Sequence, residues 1–232
     1  MRAAELLLDI LYPPKCTICH RAYGKLDEVG KERKERLGLC PLCDIESYRI
    51  GFDESGNDHI RAAFRYEGAV RKAISELKYH GRKSYAGYFA RWMLEDPALK
   101  EWVSTFDLLS AVPVSKERHQ TRGYNQAEEL AIRMSEVVRV PYRQLVQRKR
   151  NTKAQKGLNK NERIINLQGA FCLSDDVERM DFSPNTRVLM IDDICTTGST
   201  LELCRKVILV RTIPPPLVRF CFKQPVLFPS AT

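Results

Sequence analysis

The chain has 232 residues and no apolar run near the roughly 20 residues that a helical membrane span requires. It also lacks G-x-x-x-x-G-K and G-x-G-x-x-G, which excludes the Walker phosphate loop and the dinucleotide fingerprint. No internal repeat or low-complexity tract is present, so a solenoid or a disordered tail is not expected. Acidic residues are in deficit, 29 against 38 Lys and Arg. The resulting charge of +9 favours an anionic partner, either a phosphorylated metabolite or nucleic acid. A secretory leader is not expected either: Glu5 and Asp9 interrupt the apolar part of RAAELLLDILYPP, and no small-residue cleavage site follows. Ala3, Leu6, Leu7 and Ile10 recur there at helical spacing, predicting a short amphipathic helix ended by Pro13 and Pro14. The expected compartment is the cytoplasm, where thiols stay reduced.

Cysteine is present, and in a pattern. Cys16 and Cys19 form one C-x-x-C, Cys40 and Cys43 another, with 20 residues between them. Four thiolates at this spacing suit tetrahedral zinc, each pair chelating through a tight turn. Disulfides or a redox dithiol are the competing readings; the reducing compartment disfavours the first and the duplication the second. Four cysteines leave no open coordination position, so the expected zinc is structural rather than catalytic. His20 reads as a neighbour of the site and not a ligand. The intervening segment is polar and glycine-punctuated, and metal binding is expected to supply its stability. Residues 1–50 are thus read as a helix plus zinc-binding module, and the polar stretch from Asp44 to about Asp58 as a linker.

From residue 59 to 232 the apolar pattern alternates between strand and helix. IRAAFRY reads as a strand, and FDLLSAVPV and RVLMID as strands buried on both faces. Three helix faces lie before the last of these strands. Val70, Ile74 and Leu77 mark one ending near Gly81; Ala86, Phe89, Ala90, Met93 and Leu94 one stopped before Pro97; and Ala127, Leu130, Ala131, Met134 and Val137 a third. Leu201, Cys204, Val207 and Ile208 begin another behind RVLMID. The expected fold is α/β, a mostly parallel Rossmann-like sheet with helices on both faces. Sites in such sheets lie beyond the carboxyl ends of the strands.

At one such end the chain reads VLMIDDICTTGST, residues 188–200. Asp192 and Asp193 follow four apolar residues, and Thr196, Thr197, Gly198, Ser199 and Thr200 fill the turn into the next helix. Amides at a helix start attract a phosphate, and hydroxyls add donors around it. Carboxylates repel phosphate but accept hydrogen bonds from sugar hydroxyls, directly or through Mg²⁺. The implied ligand is a ribose 5-phosphate unit.

This stretch resembles the phosphoribosyl pyrophosphate (PRPP) motif of type I phosphoribosyltransferases. Together with Y-P-P-x-C-x-x-C, the second C-x-x-C, E-L-K-Y-H-G, V-P-V-S…R-G-Y-N-Q-A and R-x-R-x-T-x-x-Q, the chain resembles the ComF family from about residue 6 to 208. The resemblance implies the type I phosphoribosyltransferase fold behind a four-cysteine zinc module, PRPP as ligand with Mg²⁺, and a nitrogen nucleophile as acceptor. It assigns the ribose hydroxyls to Asp192 and Asp193 and the 5-phosphate to residues 196–200. Ser115, Lys116 and Arg118, with Arg122 and Lys78 nearby, fall where the family holds pyrophosphate. Residues 147–166, with seven Lys or Arg and one Glu, fall where a hood closes over the site; Arg150 and Arg163 there are catalytic candidates, and Gln155 a PRPP-binding one. Natural competence and DNA uptake, with a helicase and recombination proteins as partners, come with the same resemblance. It leaves open a second function, a non-catalytic nucleotide- or single-stranded-DNA-binding protein of that machinery. One departure stands out. After residue 208 the family has a glycine-containing turn and a strand, whereas this chain has three consecutive prolines, and only LVRFCF is strand-like, so the resemblance does not assign the sheet edge near the site.

Overall fold

The computed structural model describes residues 15–22, 38–40, 42–52, 56–57, 60–79, 82–149, 169–175, 177, 183, 186–195, 198–209 and 218–223. The expected N-terminal helix, Arg150, Gln155, Arg163, Thr196 and Thr197 lie outside the described residues.

A five-stranded sheet organises the rest. Strand β1 (Gly56–Asn57) runs antiparallel to β2 (Ile60–Arg65). The remaining pairs are parallel, joining β2, β3 (Leu108–Ala111), β6 (Val188–Cys195) and β7 (Val218–Lys223) in the spatial order β1-β2-β7-β6-β3. Two short strands, β4 (Val146–Arg148) and β5 (Phe171–Leu173), form a separate antiparallel pair. Six helices accompany them among the described residues: α1 (Gly68–Tyr79), α2 (Tyr85–Leu94), α3 (Pro97–Ser104), α4 (Lys116–Arg122), α5 (Gln126–Val138) and α6 (Ser199–Leu209). None is long and apolar enough to cross a membrane.

Both faces of the central strands are covered, as their unbroken apolar sequence requires. Leu109, Ala111, Leu189 and Ile191 pack into a cluster with the apolar sides of α1, α2 and α5. Their alternates Leu108, Val188 and Met190 pack with Leu201, Cys204 and Ile208 of α6 and with Val146 and Phe171 of the small sheet. This period of two is the geometry of a pleated strand.

Several sequence expectations need correction. The polar stretch after Asp44 is not a free linker. Ile45 is buried, the Ile50 amide donates to the Ala63 carbonyl at 2.9 Å, and the Arg49 guanidinium donates to the Trp92 carbonyl at 2.8 Å. Polarity along the chain hides such packing, because one buried isoleucine and a few backbone bonds suffice to dock a segment. α2 does stop before Pro97, as expected, but Pro97 opens a further helix that the apolar pattern did not mark, α3, where the Asp96 carboxylate accepts from the amides of Ala98 and Leu99. Proline is tolerated there because a first-turn amide has no partner inside the helix, and such a cap contributes about 1 kcal/mol. The basic residues after Ser115 form a helix, with the Ser115 hydroxyl accepting from the Arg118 amide. The strand-like segment after the prolines does form a strand, and an interior one: β7 lies between β2 and β6.

Candidate functional site

Strand β6 is buried through Ile191 and then opens. Its pairing with β3 ends at Ile191 opposite Ala111. Against β7 it passes from Ile191 opposite Phe220 to Ile194 opposite Phe222, three steps on β6 against two on β7. The extra residue is a bulge, a device that re-aims side chains at the end of a strand. Asp192 and Asp193 occupy it, and the Asp193 amide donates to Asp192 Oδ1 at 2.8 Å. The chain then turns through Gly198, whose φ of 70° is left-handed and suits a residue without a Cβ, into α6.

Opposite the carboxylates stands a basic wall. Lys78, in the last turn of α1, reaches Asp193 with Nζ to Oδ2 of 2.6 Å, the two side chains only 13% and 17% exposed. Arg118 and Arg122 of α4 and Arg148 of β4 complete it. Together these groups and Gly198, Ser199 and Thr200 line one cavity of about 370 Å³. Four cations face two carboxylates, so the cavity is suited to an anion. The two acids are unlike. Burial, then the charge of Asp193, push the Asp192 carboxyl well above the usual range. Burial acts on Asp193 in the same direction, but the Lys78 ammonium outweighs it and holds that carboxyl below the usual range. At neutral pH the pair therefore favours a charged Asp193 beside a more readily protonated Asp192.

The R-G-Y-N-Q-A segment, residues 122–127, sets these groups in place. Gly123 closes α4 in a left-handed cap, with φ of 79°. The buried Tyr124 hydroxyl donates to the Leu77 carbonyl, one residue before Lys78. Asn125 Nδ2 donates to the Val112 carbonyl at 3.0 Å, holding the loop after β3, while its Oδ1 accepts from the Ala127 amide and caps α5. Arg122 donates to Gln126 Oε1 at 2.8 Å. One short segment thus fixes the end of α1, the end of β3 and the start of α5.

Of the expected site residues, the structure brings Lys78, Arg118, Asp192, Asp193, Gly198, Ser199 and Thr200 to the cavity. Ser115 caps α4 beside it. Lys116 instead lines an adjoining recess of about 230 Å³ with His119, Glu128 and Gln147. Arg148, Asn125 and Tyr124 were not singled out from sequence. Arg148 is the first residue of R-x-R-x-T-x-x-Q, and the other two sit in R-G-Y-N-Q-A, so motif membership was the available signal.

At the N-terminal side the ligand sulfurs of Cys16, Cys19, Cys40 and Cys43 lie within 4.8 Å of one another and can hold a metal ion. Cys19 and Cys40 Sγ are 3.7 Å apart, and the Cys40 amide donates to Cys16 Sγ at 3.4 Å. His20 turns away from the cluster, its Nε2 lying 3.7 Å from Glu76 Oε1 on α1. Cys16, Ile18, Leu39 and Cys40 belong to the same apolar cluster as α1 and α2, so the cysteine loops share the core of the helix whose last turn carries Lys78.

Fold and site define a mixed α/β protein with an acid pair and a basic cavity at the ends of parallel strands, and a four-cysteine cluster able to hold a metal. No family model matches the chain. Among curated proteins, it is 39% identical over 98 residues to Competence protein F of Haemophilus influenzae, a match covering 42% of each chain and so less than half of that relative. It is 29% identical over 193 residues to Competence protein ComFC of Streptococcus pneumoniae, covering 83% of this chain and 80% of that one. It is 24% identical over 198 residues to DNA utilization protein YhgH of Salmonella typhimurium, covering 80% of each. The chain is thus similar, over most of its length, to curated proteins named for competence and for DNA utilization.

The unlike acids make stability depend on pH in opposite directions. Asp192, with its folded pKa raised, contributes stability that is full below the unfolded value of about 3.9 and is lost as pH rises through the folded value. Asp193, with its folded pKa lowered, contributes stability present above that unfolded value and lost as pH falls through the folded one. Asp192→Asn is expected to raise the thermal midpoint at neutral pH, the gain fading toward about pH 3. Lys78→Met is expected to lower it, the stability loss reaching up to about 3–5 kcal/mol for a buried charge left unpaired and shrinking in acid. Calorimetry across that pH range checks both; a fall in the Asp192→Asn midpoint at neutral pH would refute the assignment.

Proposed function

We propose that the chain binds phosphoribosyl pyrophosphate with Mg²⁺ and transfers the phosphoribosyl group to a nitrogen nucleophile. The observation that carries this reading is the shared cavity: a helix start rich in hydroxyls, two carboxylates and four cations around one space. Gly198, Ser199 and Thr200 offer amides and hydroxyls to the 5-phosphate. Asp192 and Asp193 accept from the ribose hydroxyls, Asp193 giving up part of its contact with Lys78. Arg118, Arg122, Arg148 and the released Lys78 offset the charge of the pyrophosphate leaving group, so the chain's contribution is orientation and charge stabilisation. Mg²⁺ would be held by the carboxylates together with the ligand's own phosphate oxygens, and supplies further neutralisation of the leaving group. In this reading Arg150, Gln155 and Arg163 belong to a hood that excludes water, and Thr196 and Thr197 complete the phosphate cradle. Isothermal titration with PRPP and Mg²⁺ is expected to give binding that Asp192→Asn combined with Asp193→Asn abolishes. No heat from the unmodified protein rejects the reading.

Zinc is the metal we assign to the four cysteines. Tetrahedral zinc–thiolate bonds of about 2.3 Å place neighbouring sulfurs about 3.8 Å apart, close to the Cys19–Cys40 separation of 3.7 Å. Elemental analysis of the purified protein is expected to find about one zinc per chain, lost together with folding of the cysteine loops when Cys16→Ser and Cys40→Ser are combined. Stoichiometric iron in place of zinc would overturn the assignment.

The relatives are named for competence and DNA utilization, and this supports the same setting here. With the charge of +9 it also favours a second reading, a protein that holds single-stranded DNA through residues 147–166. DNA affinity is then expected to fall steeply with salt, and replacing Lys153, Lys156 and Lys160 by alanine to flatten that slope by about 2 to 3. Binding indifferent to salt removes the second reading.

A further inference from the structure

Glu76 and Lys78 share the last turn of α1. The Glu76 carboxylate faces two ways. Its Oε1 lies 3.7 Å from His20 Nε2, and its Oε2 lies 3.0 Å from Nε of Arg82, in the segment that follows the helix. Arg82 is braced in turn by α2, its Nη1 donating to the Tyr85 hydroxyl at 3.2 Å. His20 directly follows Cys19, and its φ of 58° is left-handed, a conformation uncommon for a residue with a Cβ. The His20 amide donates to the Cys16 carbonyl at 3.0 Å, so the residue that meets Glu76 is part of the first cysteine turn. The loop carrying the second cysteine pair is seated on α2: a Cβ at Gly38 would come within 2.7 Å of the Tyr88 ring. The Gly38 carbonyl accepts from the amide and the hydroxyl of Thr17, which ties the two cysteine loops together. Beyond Glu76 the same helical turn reaches the cavity, with Lys78 Nζ on Asp193 Oδ2 at 2.6 Å. One path of contacts thus runs from the cysteine cluster through His20, Glu76 and a single turn of helix to the acid pair. A terminal turn is the part of a helix that opens most readily.

We infer that Glu76 is a positioning residue that links metal held by the four cysteines to anion affinity in the cavity. With metal bound, His20 is fixed, Glu76 is held from both sides, and the last turn of α1 keeps Lys78 at the cavity. Without it the cysteine loops lose their shape, that turn opens, and Lys78 is withdrawn from the cavity. This inference rests on the ribosyl-phosphate reading for the choice of anion and on the zinc assignment for the metal. Linkage is reciprocal, so a ligand in the cavity tightens metal binding by the same factor by which the metal tightens the ligand.

The test measures zinc affinity by equilibrium competition with a chromophoric zinc chelator, with and without PRPP. Mg²⁺ is kept in excess so that PRPP itself takes up no zinc. In the unmodified protein saturating PRPP is expected to tighten zinc binding at least about 5-fold, the lower end of typical couplings. Glu76→Ala keeps a good helix former while removing both contacts of the carboxylate. In that variant PRPP is expected to bind more weakly, and the zinc affinities with and without it to agree within about twofold. If PRPP binds but leaves zinc affinity unchanged, or if Glu76→Ala keeps the full coupling, the linkage is overturned and the ribosyl-phosphate reading stands. If PRPP does not bind, that reading fails and amide hydrogen exchange decides the linkage. Removing zinc is then expected to speed exchange at Leu77 and Lys78 at least about 5-fold, while residues 189–191 of β6 stay protected. Unchanged rates at Leu77 and Lys78, or protection lost in β6 as well, overturn it.

Discussion

A strand enclosed on both faces cannot carry a charge until it leaves the sheet, and the rest of this molecule is arranged around the point where β6 does so. Through Ile191 its side chains are divided between two apolar clusters. At Asp192 the pairing to β3 has ended and the pairing to β7 has slipped. The acids emerge at the lip, still largely shielded from water, where each must be neutralised by a partner or by a proton. Lys78 supplies the partner for Asp193, and burial makes Asp192 the harder of the two to ionise.

That requirement reaches back to the other elements. Lys78 meets Asp193 only if α1 ends where it does. The Tyr124 hydroxyl on the Leu77 carbonyl and the core shared with the cysteine loops both hold that end. Asn125 does the same for the loop after β3, which borders the cavity at Val112, Pro113 and Val114. These are buried polar side chains with their hydrogen bonds satisfied by backbone groups of distant segments. Such contacts give little net stability each, about 1 kcal/mol, but an unmade one is costly, so they specify a single arrangement.

β7 shows how far a local sequence can mislead. Three prolines precede it, and they break with the family pattern at this point. In the sheet it is the third of five strands, supplying parallel pairing to β2 on one side and β6 on the other. The strand itself contains no proline.

Features that depend on spacing along the chain are legible in the order of its amino acids alone. The two cysteine pairs, the apolar runs of β3 and β6, the helix faces, and the passage from acids to hydroxyls in residues 188–200 all repeat with the period of the structure they form. Asp192 and Asp193 could be singled out because charge directly after a buried run is unusual. Which distant groups meet them is a property of the closed fold. Lys78, Arg118, Arg122 and Arg148 come from three different elements; motif resemblance marks the first three, but the order of residues alone does not bring the four side chains to one cavity. The unequal charging of the two acids follows from that meeting, because it depends on the distance to Lys78 and on how little water reaches them, quantities that exist only once the chain has closed on itself.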